Sequence, residues 1–184
     1  MEVGLMNADD VLNFWFKEID QSQWWLKDLA FDECIISKFS AVHLAANSGE
    51  LFKWRLTAQG RLAEIIILDQ FSRNMYRDTP GAFACDPLAL ALAQEAIVVG
   101  ADQELNHLER NFLYMPFMHS ESLMIHDIAV KLFVDNGVAS SIDFENKHKI
   151  IIEKFGRYPH RNKILNRKSS QEEREFLTQA NSSF

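Results

Sequence analysis

The sequence predicts an all-α fold, and three observations carry that reading. Gly (7) and Pro (4) are scarce in 184 residues, too few turn formers for a sandwich or barrel. Apolar residues recur at helical spacing, and no stretch sustains strand alternation. Capping and stop signals between these stretches delimit about eight helices. The length suits one domain over residues 1–184 with a substantial core. Hydrophobic residues at 47% and charged residues at 24% match an ordinary globular chain.

The elements follow in order. Asn7 caps a first helix, with Asp10 at its third position and Val11, Phe14, Trp15 and Ile19 at helical spacing. Trp24 and Trp25 fall in a connector, where packing at a helix junction is expected. A second helix runs roughly from Ala30 to Asn47, with Ile35, Phe39, Val42 and Ala46 as its stripe. Gly49 supplies the left-handed stop. After a short turn over Leu51–Trp54, Thr57 caps the next helix. Leu62, Ile65, Ile66, Leu68 and Phe71 cover much of its circumference, so it should be the central buried helix.

Asp78-Thr79-Pro80 and Asp86-Pro87 read as two helix starts, each an oxygen-bearing cap before Pro. The second opens a helix through Leu90 to Ala96, ended near Gly100. Asp102 or Gln103 begins a segment to Tyr114, and Pro116 breaks or kinks it. A helix through Ile125, Ile128, Leu132 and Phe133 stops at Asn136-Gly137. Ser141 or Asp143 starts the next, which carries Ile150, Ile151, Ile152 and Phe155 and stops at Gly156. Ser169 and Glu172 have capping-box spacing for a last helix through Phe176 and Leu177, and Asn181 to Phe184 are expected to fray.

Charge and cysteine usage narrow the function classes. A net charge of −7 and a pI near 5.3 disfavour general nucleic-acid or anionic-membrane binding. Two cysteines, Cys34 and Cys85, read as reduced thiols of a cytoplasmic protein. Met1 to Asp10 lacks a signal-peptide pattern, and Ile65–Leu68 is too short to span a bilayer. No cofactor loop is present, so no cofactor is expected. The 11% aromatic content leaves a homodimer patch open.

Three polar stretches stand out. From Lys154 to Gln171 there are six Lys or Arg and no Asp or Glu. Within it, Gly156 and Pro159 restrict a turn that projects Arg157, His160, Arg161 and Asn162. Arg offers a planar fork for carboxylate or phosphate, yet the same arginines could cap carbonyls and bridge acidic neighbours. Arg73 and Asn74 continue the buried central helix and need partners, Asp69 or Glu121 for Arg73. His119 beside Glu121 makes an acid–base pair possible, with His160 as another candidate. Glu104…His107 and Glu145…His148 have ExxH spacing, and Glu64 and Glu121 complete a di-metal set on paper. Such short patterns recur by chance, and no metal is expected.

Those stretches also carry a resemblance. Residues 68–80, Leu-Asp-Gln-Phe-Ser-Arg-Asn-Met-Tyr-Arg-Asp-Thr-Pro, come first. Residues 112–121, Phe-Leu-Tyr-Met-Pro-Phe-Met-His-Ser-Glu, and 155–162, Phe-Gly-Arg-Tyr-Pro-His-Arg-Asn, follow. In this order they resemble the bacterial family known as domain of unknown function 924. Ser72, Met75 and Met118 are mild variations on its pattern. The resemblance implies one all-helical domain with tetratricopeptide-like, right-handed superhelical packing. It implies no activity, and this chain has no tetratricopeptide signature.

The expected function is therefore binding of a peptide or a small anionic ligand. The ligand set would be Arg73, Asn74, His119, Glu121, Arg157, His160, Arg161 and Asn162. A hydrolase or lyase using His119, Glu121 or His160 is the alternative, and a purely structural clamp is the third reading. RNA binding through residues 154–168 is a minor variant.

Overall fold

The computed structural model describes residues 6–180 and residue 182. Among these, eight helices and no strand occur. α1 is Ala8–Asn13, continued by a π-helical turn over Phe14–Glu18. α2 is Leu29–Asn47. α3 is Ala58–Ile66, continued without a break through a π turn, Ile67–Phe71, and Ser72–Met75. α4 is Asp86–Val98, α5 His107–Met118, α6 Leu123–Asn136, α7 Ala139–Phe155 and α8 Gln171–Phe176. Single turns fill several connectors, among them Gly81–Ala84 before α4 and Pro159–Arg161 between α7 and α8.

α3 is the centre. Residues 62–72 are buried on every face, including Glu64, Asp69, Gln70 and Ser72. It packs against α1, α2, α4 and α5, while α5, α6 and α7 pack in consecutive order. Phe71 ties these layers together, 4.6 Å from Phe39 of α2 and 5.5 Å from Trp15 of α1, centroid to centroid. A smaller apolar cluster, Ile151, Ile152 and Tyr158 with Phe155 and Phe176, seats α8 on the end of α7.

Helix stops follow the backbone rule. Gly137 and Gly156 end α6 and α7 with φ of 75° and 66°, a region that residues with a Cβ avoid. Asn7 and Asp10 form a capping box, and Thr57 accepts the amide of Gly60.

Other starts depart from expectation. Asp78 has φ of 60° and pairs with Lys27 rather than capping a helix. Asp86 is the first residue of α4, not its cap, and its carboxylate is engaged elsewhere. α5 begins at His107 under an Asn106–Glu109 capping box, four or five residues beyond the expected start. It continues through Pro116, whose missing N–H costs one bond near the helix end, and stops at Met118. α7 starts at Ala139 without a side-chain cap. The last box is Ser170–Glu173, one residue later than Ser169–Glu172. Trp24 packs against Phe112 at 4.9 Å, whereas Trp25 is largely exposed. Of the expected fraying end, Asn181, Ser183 and Phe184 lie outside the described residues, and the Ser182 hydroxyl reaches the Leu177 carbonyl.

By length and mean hydropathy, Gly81–Val98 alone among the described residues could cross a membrane. It is not one helix, however, and it carries Asp86 in an ion-pair network and Glu95 paired with Arg61.

Candidate functional site

The three polar stretches meet where the end of α3, the end of α5 and the turn after α7 converge. Asp69 lies at the bottom. One of its oxygens accepts from Nδ1 of His119 at 2.7 Å and lies 3.2 Å from Nη1 of Arg73; the other accepts from Gln70 at 2.6 Å. Arg73 also forks onto Asp86, at 2.9 and 3.1 Å, and donates to the Asp69 carbonyl at 2.7 Å. Arg161 reaches the same Asp86 at 3.2 Å. One acidic residue at the start of α4 thus joins an arginine of α3 to one 75 residues from Asp86.

Burial alone would raise the Asp69 carboxyl. The charges of Arg73 and His119, with hydrogen bonds from His119 and Gln70, overcome that and hold it below the usual range. His119 moves down, through burial first and Arg73 second, with Asp69 opposing. Asp69 is therefore an anion and His119 a neutral ring at neutral pH. An ionised carboxylate can only accept, so Nδ1 of His119 carries the proton and Nε2 keeps its lone pair.

Above this layer lies an open cleft of about 430 Å³. Phe83, Pro87, Leu90, Pro116 and Leu165 are among its apolar walls, and Asp86, His119, Ser120, Glu121 and Arg161 supply polar groups. Arg161 is 6% exposed. Its guanidinium lies over the ring of Phe83 at 4.5 Å and over that of Tyr158 at 4.6 Å. Of its five N–H donors, one meets Asp86, and Nε is buried without a hydrogen-bond partner among the described residues. Burial and the charge of Arg73 push its pKa down, although it stays charged.

The other expected site residues are placed differently. Arg157 forks onto Glu173 of α8 at 2.6 and 2.8 Å and donates to the Lys168 carbonyl. Glu121 is not the partner of His119. Its carboxylate receives the Tyr158 amide and both Nη groups of Arg167, at 2.6–2.8 Å. Asn74 donates to Asp32, which also binds Arg77. Asn162 is buried and donates to Ser169. His160 packs on Tyr158 at 5.5 Å, and burial pushes its pKa to about 4. The carboxylates of the ExxH set are dispersed as well: Glu64 is held by Arg55 and Glu145 by His126. Among the described residues no three His, Cys, Asp or Glu are grouped to hold a metal.

Four contributors escaped the site reading. Asp86 looked like a cap because an acidic residue before Pro has that signature. Tyr158 and Phe83 carry no chemical signal in sequence, although a Tyr between Gly-Arg and Pro-His marks a fixed turn. Arg167 was one of six basic residues, with nothing to single it out.

Comparison with known proteins follows the same outline. The family described as "Bacterial protein of unknown function (DUF924)" matches residues 11–181. A solved structure, "Structure of Protein of Unknown Function ATU0120 from Agrobacterium tumefaciens", superposes with a TM-score of 0.88. The two sequences are 40% identical, and the alignment covers 92% of this chain and 96% of that one. No curated protein matches.

Proposed function

The chain belongs to the bacterial DUF924 family, whose description assigns no activity, and we propose that it binds a small organic anion in the cleft, through Arg161. The observation that carries this reading is the under-used guanidinium. Arg161 is buried and packs on two rings, yet it gives the protein one ion pair and leaves Nε without an acceptor. Burial first and the charge of Arg73 second push its pKa down, against Asp86. A carboxylate or phosphate supplies the missing acceptor in a planar, two-point geometry.

The cleft volume falls at the small-molecule scale, and its walls suit an apolar body behind the charged group. This favours a compact anion over an extended peptide. Consecutive helices pack in order from α2 through α7, and α3 also meets α1 and α5, an arrangement compatible with tetratricopeptide-like packing.

Butyrate and phenyl phosphate, titrated against the protein and followed by amide chemical shifts, test the reading. Saturable binding of either should weaken roughly ten- to a hundredfold in Arg161→Met, the loss of a charge-assisted hydrogen bond. Arg157→Ala should bind as the wild type does. Absence of saturable binding at millimolar probe, or equal binding by Arg161→Met, removes the reading.

A further inference from the structure

We propose that the cleft hydrolyses small carboxylic esters, with water as nucleophile and His119 as the group that takes and returns the proton. The proposal rests on the anion reading and specifies it: the anion that Arg161 meets is the oxyanion of the reaction and then the product carboxylate.

The acidic groups that line the cleft beside His119 are already engaged. Asp86 already accepts three hydrogen bonds from two arginines. Glu121 is consumed by Arg167 and the Tyr158 amide. His119 alone faces the cleft with an uncommitted lone pair, because its other nitrogen is tied to Asp69. His119 is the C-cap residue of α5 through its backbone N–H, and its side chain is 16% exposed, so the ring is fixed without being sealed.

Asp69 is the positioning residue. It is fully buried, and Gln70 holds its second oxygen while bonding to Sδ of Met115 at 3.3 Å. A carboxylate fixed on Nδ1 sets the tautomer that leaves Nε2 basic, and it stabilises the imidazolium once formed. Charged and titratable groups act on the ring from each neighbouring element: Asp69 and Arg73 from α3, Asp86 from α4, His148 from α7 and His160 from the turn, and Arg161 of that turn lines the same cleft. Burial and Arg73 outweigh the acids, so the free base predominates at neutral pH.

The chemical step balances within these groups. Nε2 of His119 takes one proton from water as the water oxygen bonds to the ester carbonyl carbon. The carbonyl π pair moves onto oxygen, and the resulting negative charge is met by N–H groups of Arg161. Collapse restores the C=O bond and breaks the bond to the alcohol oxygen, which receives the proton from the imidazolium. The new acid gives its remaining proton to solvent and is left as the carboxylate, the alcohol departs, and the ring returns to its starting form. A guanidinium that stabilises developing charge binds the transition state better than the neutral ester, as catalysis requires.

The probe is p-nitrophenyl butyrate, with p-nitrophenyl phosphate in parallel. Butyrate-ester hydrolysis should fall roughly a hundredfold or more in His119→Gln, the usual contribution of a proton-transfer group. Butyrate binding should persist in that variant. In the wild type, kcat/KM should rise with pH through a midpoint below the ordinary histidine value and then level. Asp69→Asn should lower kcat with little change in KM and move that midpoint further down; Asp69→Glu should recover part of the rate. A purely structural role for Asp69 would leave the midpoint in place.

Butyrate binding through Arg161 without His119-dependent ester hydrolysis overturns this proposal and leaves the binding reading standing. His119-dependent hydrolysis without Arg161-dependent butyrate binding removes the binding reading, and the Arg161 half of this proposal with it. Turnover of the phosphate monoester alone overturns the carboxylic-ester assignment.

Discussion

Arg157 and Arg161 lie in one turn, four residues apart in sequence, and the protein uses them in opposite ways. Arg157 sends Nε and Nη2 to the two oxygens of Glu173 and a further bond to the Lys168 carbonyl. Its pKa is raised, chiefly by the Glu173 hydrogen bonds. Arg161 meets one oxygen of an aspartate already held by Arg73, packs on two rings, and is pushed down by burial and by Arg73. The first is a closed clamp that docks α8. The second is an open grip under a cleft. What separates them is the number of protein acceptors each guanidinium finds, which residue type does not reveal.

The contrast depends on the layer beneath the cleft, so the largest effect is expected at Asp69. Asp69→Ala leaves Arg73 with Asp86 as its one carboxylate partner, beside the residue-69 backbone carbonyl, and strips His119 of its acceptor, all in a buried setting. Breaking a buried charge network of this kind costs about 3–5 kcal/mol. Denaturant unfolding should show a lower midpoint at an unchanged m-value. A loss under about 1 kcal/mol would mean that Asp86 satisfies Arg73 by itself, in the range of an exposed pair.

Much of the fold was legible because its signals are local. Gly49, Gly137 and Gly156 stop helices through a backbone conformation that favours glycine, and Asn7 and Thr57 cap through their own side chains. The slip at α8 is instructive. Ser169-Ser170-Gln171-Glu172-Glu173 holds two overlapping capping boxes, and sequence cannot choose between them. The structure uses Ser170–Glu173, the frame in which Glu173 also receives Arg157. The three polar stretches were legible in sequence, but the pairings of their side chains were not. His119 was given Glu121, its near neighbour in sequence, but its acceptor is Asp69, 50 residues away. Glu121 instead receives Arg167, 46 residues away. Pairings of that length are decided by packing around α3, on which local spacing carries no information.

A smaller and more local effect separates the two arginines directly. Arg157→Ala should release α8 and its Phe176 contact with Phe155 while leaving the cleft intact. Amide exchange over residues 171–177 should quicken, with the amides of α3 and α5 unchanged. Butyrate binding should stay at the wild-type level. A parallel loss of binding would show that clamp and grip are one unit, and the contrast between them would fail.

The smallest effect is a difference in acid response. Glu173 is held at about 2, against an ordinary 4.5, by Arg157 first and, against burial, by the Ser170 amide. The unfolded chain therefore takes up that proton first. The clamp contributes fully above pH 4.5 and weakens as pH falls toward 2. His160 in the same turn moves the same way for another reason: burial, then Arg161, lowers it from 6.5 to about 4. Its neutral form stabilises the fold above pH 6.5, and that contribution fades as pH falls through 4. Acidification should thus loosen the turn in two windows, read by exchange of residues 158–162 and 171–177. Arg157→Ala should narrow only the lower window, and added salt should act on that one alone, because the clamp is partly exposed and screened. Arg161→Met removes a positive charge beside His160, so the upper window should move toward higher pH. If both substitutions shift both windows, the turn titrates as a single unit and the two arginines share one role.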